Sequence, residues 1–285
     1  MRSRMVFGVG LLIFGTALAA LLVSGRTEIR TSADAESPPT ALVTVLLPIV
    51  VAMVLIRLVP PRLPALPPLT QPDRPALVRQ GWALTVIAVV FALLVLVVDL
   101  GDWYGLVKVA LLLGGSWLAL RIWRAPSTGA AAQRAAMPRW AYWLGPVPAI
   151  LAWGYLLYYS PLAGDRDMSG YEQYDTGILV AAMVITFLTA SVAEEIFYRV
   201  LLQTRLEALL GRWPAIMATA LLFTAMHLSR IGDGPHWEVL ATITVWNGGF
   251  GLFVGYLWAR YRNVWALIVV HGAVNSLALI PVLLH

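Results

Sequence analysis

Residues 177–199 read GILVAAMVITFLTASVAEEIFYR. Seventeen uncharged residues, Gly177 to Ala193, run into two adjacent glutamates, and an arginine follows four positions after the second. A helix needs about 20 mostly apolar residues to cross a hydrocarbon core about 30 Å thick. The stretch therefore predicts a membrane span that carries Glu194, Glu195 and Arg199. Working outward, similar runs occur at 5–24, 41–59, 81–98, 103–120, 139–159, 213–229, 238–259 and 264–283. The expected fold class is all-α, a polytopic transmembrane helical bundle of about nine spans. The chain divides into residues 1–176, five spans with a Pro-rich loop, and 177–285, four spans that hold nearly all of the in-span polar groups.

Composition points the same way. Of 285 residues, 60% are hydrophobic and 12% charged, with mean hydropathy +0.78. A soluble domain is about 45–50% apolar and about 25% charged, so lipid is the expected solvent for most of this surface. There is no cysteine, which excludes disulfides and a thiolate nucleophile. The net charge of +5 does not form one basic patch, so no nucleic-acid partner is expected. The charges sort instead by side. Arg2, Arg4, Arg57, Arg62, Arg74, Arg79, Arg121, Arg124, Arg134, Arg139, Arg199, Arg205, Arg212, Arg260 and Arg262 fall on one side with Asp73 and Glu207. The other side has Glu28, Asp34, Glu36, Asp99, Asp102, Asp165, Asp167, Glu172, Asp175, Asp233 and Glu238, with only Arg26, Arg30, Arg166 and Arg230. Cytoplasmic loops are the ones enriched in Arg and Lys, so the N-terminus is expected in the cytoplasm and the C-terminus outside.

Several local features carry expectations. The first span has a basic start and an Ala17-Leu18-Ala19 stretch, as signal peptides do, but its long apolar run and the later spans favour a retained helix. Pro48, Pro146 and Pro148 should kink their spans. Pro60–Pro75 reads as an extended connector, and 125–138 as a small-residue loop. Lys108 is expected to snorkel outward. Residues 201–210 interleave polar residues with leucines and are expected along the cytoplasmic interface. Gly248, Gly249, Gly251 and Gly255 suggest close helix packing.

Ionisable groups inside a span are costly and each calls for a reason. Glu195 and Arg199, four apart, share a helix face and can pair. Glu194 lies about 100° round the helix and reads as the free carboxylate. Phe223 lies one turn before His227, and His271 and Asn275 share a face. With the hairpin turning near Gly211–Trp213, Glu194 and His227 come to similar depths. His236 and His285 read as solvated. A single membrane histidine is commonly bound to a carbonyl, and a lone Glu–Arg pair is commonly structural. A carboxylate, two imidazoles and an amide on separate helices point instead to a wet reactive pocket, expected near the cytosolic leaflet.

The set EExxxR (Glu194, Glu195, Arg199), FxxxH (Phe223, His227) and HxxxN (His271, Asn275), on successive apolar helices, resembles the CPBP intramembrane proteases. This family takes in CAAX proteases, bacteriocin-processing proteins, those once labelled Abi, and Rce1-like prenyl endopeptidases. The resemblance covers about 177–283 and implies a CPBP-like catalytic core. It implies hydrolysis of a peptide bond in a membrane-associated, prenylated or tagged protein, in a multi-pass protein of the bacterial cytoplasmic membrane. On this reading Glu194 is the general base and His227 shares the water and protonates the leaving amine. His271 and Asn275 donate to the oxyanion, Glu195 and Arg199 orient the helix, and Phe223 walls the site. Two histidines and a glutamate also suit zinc, so a zinc site of Glu194, His227 and His271 stays open; the resemblance favours the metal-free glutamate mechanism. The rival functions are a non-catalytic membrane scaffold or bacteriocin-immunity protein, and a proton-coupled transporter.

Overall fold

The computed structural model describes residues 2–32, 38–63, 66–71, 73–126, 128–164 and 168–284. Asp34, Glu36, Asp165, Arg166, Asp167 and His285 of the charge and histidine readings lie outside them. The described residues are mostly helical. Among the described residues, six helices are long and apolar enough to cross a membrane: α1 (Ser3–Val23), α3 (Arg74–Val97), α4 (Gly101–Ile122), α8 (Thr176–Leu210), α10 (His236–Tyr261) and α11 (Val264–Leu283). The other three expected spans are helical but shorter or broken. Helix α2 (Leu42–Leu58) has 17 residues. The 139–159 stretch splits at Gly145-Pro146 into α6 (Arg139–Leu144) and α7 (Val147–Tyr158), because proline removes a backbone donor and clashes with the preceding turn. Helix α9 (Arg212–Ala225) ends in a tighter turn, Met226–Arg230.

Two local expectations are corrected. The 125–138 loop contains α5 (Ala130–Ala136), since three successive alanines are strong helix formers. Residues 201–210 are not a separate helix but continue α8 without a break. Their polar groups are satisfied by neighbours: Gln203 Nε2 donates to the Gly255 carbonyl at 2.8 Å, Arg205 Nε donates to Gln80 Oε1 at 2.8 Å, and Glu207 meets Arg262 at 2.8 Å.

Helix α10 is the hub. Its Phe253, Val254, Leu257, Ala259 and Tyr261 are each 0% exposed, whereas Leu12 and Val23 of α1 are 70% and 89% exposed. Its glycines let different neighbours approach: Phe14 of α1 at Gly248, Ile49 of α2 at Gly249, and Ala220 of α9 at Gly251. A Cβ on Gly251 would lie 3.1 Å from the Ala220 Cα, which is the close packing that small residues permit. Around this hub the outer faces are apolar, with Leu12 70%, Val97 75%, Leu151 66% and Val269 59% exposed. An apolar exterior on this scale requires lipid; the protein is an integral membrane protein. Contacts tie Arg-rich segments together at one end, where Ser3 Oγ donates to the Leu210 carbonyl at 2.7 Å and Arg260 to the Pro60 carbonyl at 2.9 Å, and tie acid-rich loops together at the other, where Arg26 meets Glu238 at 2.9 Å and Arg230 donates to the Arg30 carbonyl at 3.1 Å. At the acid-rich end a small antiparallel ribbon, β1 (Glu28–Ile29) against β2 (Thr40–Ala41), joins α1 to α2.

Candidate active site

Helices α8 and α9 form the hairpin that sets the depth of the site. The turn is at Gly211, with φ +87°, a conformation glycine adopts without steric cost. Glu194 and Glu195 sit between two stretches of α8 that widen to π geometry, Phe187–Val192 and Ile196–Gln203. Such widenings recur at functional sites. Helix α11 brings His271 and Asn275 against this part of α8.

All four residues expected to react line one cavity of about 820 Å³: Glu194, His227, His271 and Asn275, with Phe223 in its wall. Glu195 and Arg199 lie behind it, both fully buried and paired at 3.2 Å. Glu195 Oε1 also accepts from His271 Nδ1 at 2.8 Å. The other imidazole nitrogen, His271 Nε2, faces Glu194 Oε2 at 3.9 Å, a gap that suits a bridging water. His227 Nδ1 lies 3.0 Å from the Phe223 carbonyl oxygen. Both Nδ1 partners are acceptors, so each Nδ1 carries the hydrogen and each neutral ring keeps a lone pair on Nε2. The Phe223 ring contacts both imidazoles, with centroids 5.1 Å from His227 and 6.0 Å from His271. It also stacks under the Arg199 guanidinium at 5.0 Å.

Two expectations fail here. Lys108 does not snorkel: it is 4% exposed, and its Nζ donates to Glu194 Oε1 at 2.7 Å. Glu194 is therefore not a free carboxylate. Lys108, the only lysine in the chain, stands one helical turn from Tyr104, whose ring it overlies at 4.8 Å. Sequence reasoning missed this residue because a lysine near a span's end ordinarily reaches out to water. A count of charges inside the spans carries the signal: Glu194, Glu195 and Arg199 leave one negative charge over, and Lys108 cancels it. Ser191 was missed as well; its Oγ accepts from Asn275 Nδ2 at 3.1 Å.

The pocket does not lie open to the Arg-rich end. Thr31 and Thr40 of the first loop, Tyr171 and Tyr174 of the 159–175 loop, and Arg230 line the cavity, and all belong to the acid-rich end. Towards the other end Phe197, Tyr198, Leu202 and Gln203 are each 0% exposed.

A family model for type II CAAX prenyl endopeptidase Rce1-like proteins matches residues 176–277. That segment is similar to Rce1-like domains. No curated protein and no solved structure matches the chain. The matched segment supplies Glu194, Glu195, Arg199, Phe223, His227, His271 and Asn275, whereas Lys108 and Tyr104 reach the cavity from outside it. Of the candidate zinc ligands Glu194, His227 and His271, Glu194 has one carboxylate oxygen held by the Lys108 ammonium. Among the described residues no group of three or more His, Asp or Glu is placed to hold a metal.

Proposed function

We propose that this chain is a metal-free intramembrane endopeptidase in which Glu194 activates water. The observation that carries the reading is the cavity that gathers Glu194, His227, His271 and Asn275 on three helices of a segment similar to Rce1-like domains. Lys108 fixes Oε1 of Glu194 and leaves Oε2 facing His271 Nε2 across 3.9 Å. A water there donates one hydrogen to Glu194 Oε2 and the other to an imidazole Nε2. As the water oxygen bonds to the scissile carbonyl carbon, its proton passes to Glu194. Glu194 passes that proton on to the lone pair of His227 Nε2, and His227 gives it to the departing amine as the C–N bond breaks; the products are an amine and a carboxylic acid, which loses its remaining proton to water.

The tautomers revise one expected role. His271 spends its Nδ1 hydrogen on Glu195, so as a neutral ring it accepts rather than donates in the cavity. Asn275 Nδ2 gives one hydrogen to Ser191 and has a second for the oxyanion, where such donors act most strongly. Glu195 and Arg199 hold His271 in register, and Lys108 positions Glu194.

The test is Glu194→Gln in native membranes. An uncleaved membrane or exported protein should accumulate relative to wild type, and an unchanged protein profile would overturn the reading. Processing by purified protein should persist after exhaustive chelation with metal content measured; loss on chelation with recovery on zinc alone would reject the metal-free mechanism.

A further inference from the structure

We infer that the substrate reaches Glu194 from the non-cytoplasmic side, and that it is an extended extracytoplasmic stretch of a membrane or exported protein. This rests on the protease reading above and adds to it the side and the class of substrate.

Among the residues that line the cavity, Thr31, Thr40, Tyr171, Tyr174 and Arg230 come from the connections to which the sequence assigns eleven acids and four arginines. The opposite end has fourteen arginines against Asp73 and Glu207 once Arg199, paired inside the bundle, is set aside. An asymmetry of this sign orients the Arg-rich end to the cytoplasm. A cytoplasmic tail would then have to pass the packed layer at Phe197, Leu202 and Gln203, all 0% exposed. That layer is closed by the Gln203–Gly255 hydrogen bond of 2.8 Å. From the acid-rich end the path to Glu194 is the cavity itself. Its volume of about 820 Å³ falls in the range of roughly 300–1,000 Å³ that takes small ligands. It therefore admits a short extended segment and no folded domain.

The absence of native cysteine makes the test clean. Tyr174→Cys places a thiol at the mouth, where Tyr174 is 45% exposed, and Ala131→Cys places one on exposed α5. In sealed right-side-out vesicles, a membrane-impermeant maleimide should label Tyr174→Cys, and label Ala131→Cys only after permeabilisation. Labelling of Tyr174→Cys only from the cytoplasmic side overturns the inference. So does failure to label it from either side while Ala131→Cys reacts. In the Glu194→Gln membranes, protease added outside the sealed vesicles should digest the uncut segment of the accumulated protein; protection there, with digestion from the cytoplasmic side, also overturns it. A cytoplasmic mouth with normal processing would remove the sidedness and leave the peptidase. No accumulation in Glu194→Gln membranes, with an outward mouth, would do the reverse.

Discussion

Lys108 and Glu194 show how a buried ion pair constrains a reactive carboxylate. Both side chains are about 95% buried, at 5% and 4% exposure, and 2.7 Å apart. Removing one partner of such a pair strands the other charge, at a cost of about 3–5 kcal/mol. Lys108→Met should therefore lower the melting temperature in detergent sharply, and Lys108→Met with Glu194→Gln should recover most of the loss without recovering cleavage. A double variant as unstable as the single would mean that Lys108 acts through packing alone. Glu194→Gln by itself strands the Lys108 ammonium and should also lower the melting temperature; in the protein that folds, cleavage should slow by about 10²–10⁴-fold, the usual contribution of a general base, measured as turnover of the accumulating protein. Glu194, His227, His271 and Asn275 were legible because an ionisable or amide group inside an apolar run stands out. Lys108 was not, because seven residues from Gly101 it sits where a long side chain ordinarily escapes to water.

At the scale of the elements, α10 decides how tightly the helices close on the site. Gly251 faces the backbone of α9, the helix that leads to His227. Gly251→Leu should push α9 away and cost about 1–3 kcal/mol by overpacking, read as a lower melting temperature. It should also reduce cleavage, because Phe223 lies on α9 and His227 in the turn that ends it; an unchanged melting temperature would show that the α9–α10 contact gives way easily. The glycine run announced this packing in the sequence, and the runs of apolar residues announced the helices. Continuity was harder to read. Gln203, Arg205 and Glu207 look like an interfacial stretch until Gly255, Gln80 and Arg262, distant in sequence, are seen to satisfy them. The break at Gly145-Pro146 was readable as a kink, while the shortening of α2 to 17 residues depends on where the ribbon β1–β2 joins it.

For the whole molecule, the segment similar to Rce1-like domains shares its cavity with Tyr104 and Lys108 from the helices before it. The fragment beginning at Thr176 lacks Lys108, Tyr104 and the α2 surface against which α10 packs. Expressed alone it should fail to cleave, and co-expression with residues 1–175 should restore processing, since membrane helices associate after insertion. Cleavage by the fragment alone would show that the earlier helices are dispensable. One consequence follows from the balance of Glu194 and Glu195 against Lys108 and Arg199. A membrane potential does work of about 2.3 kcal/mol per elementary charge per 100 mV, and a cluster that sums to zero feels no net pull towards either face. De-energising the cell should leave the wild-type pocket at its depth, whereas in Lys108→Met the surplus negative charge would make the pocket's stability depend on the transmembrane voltage.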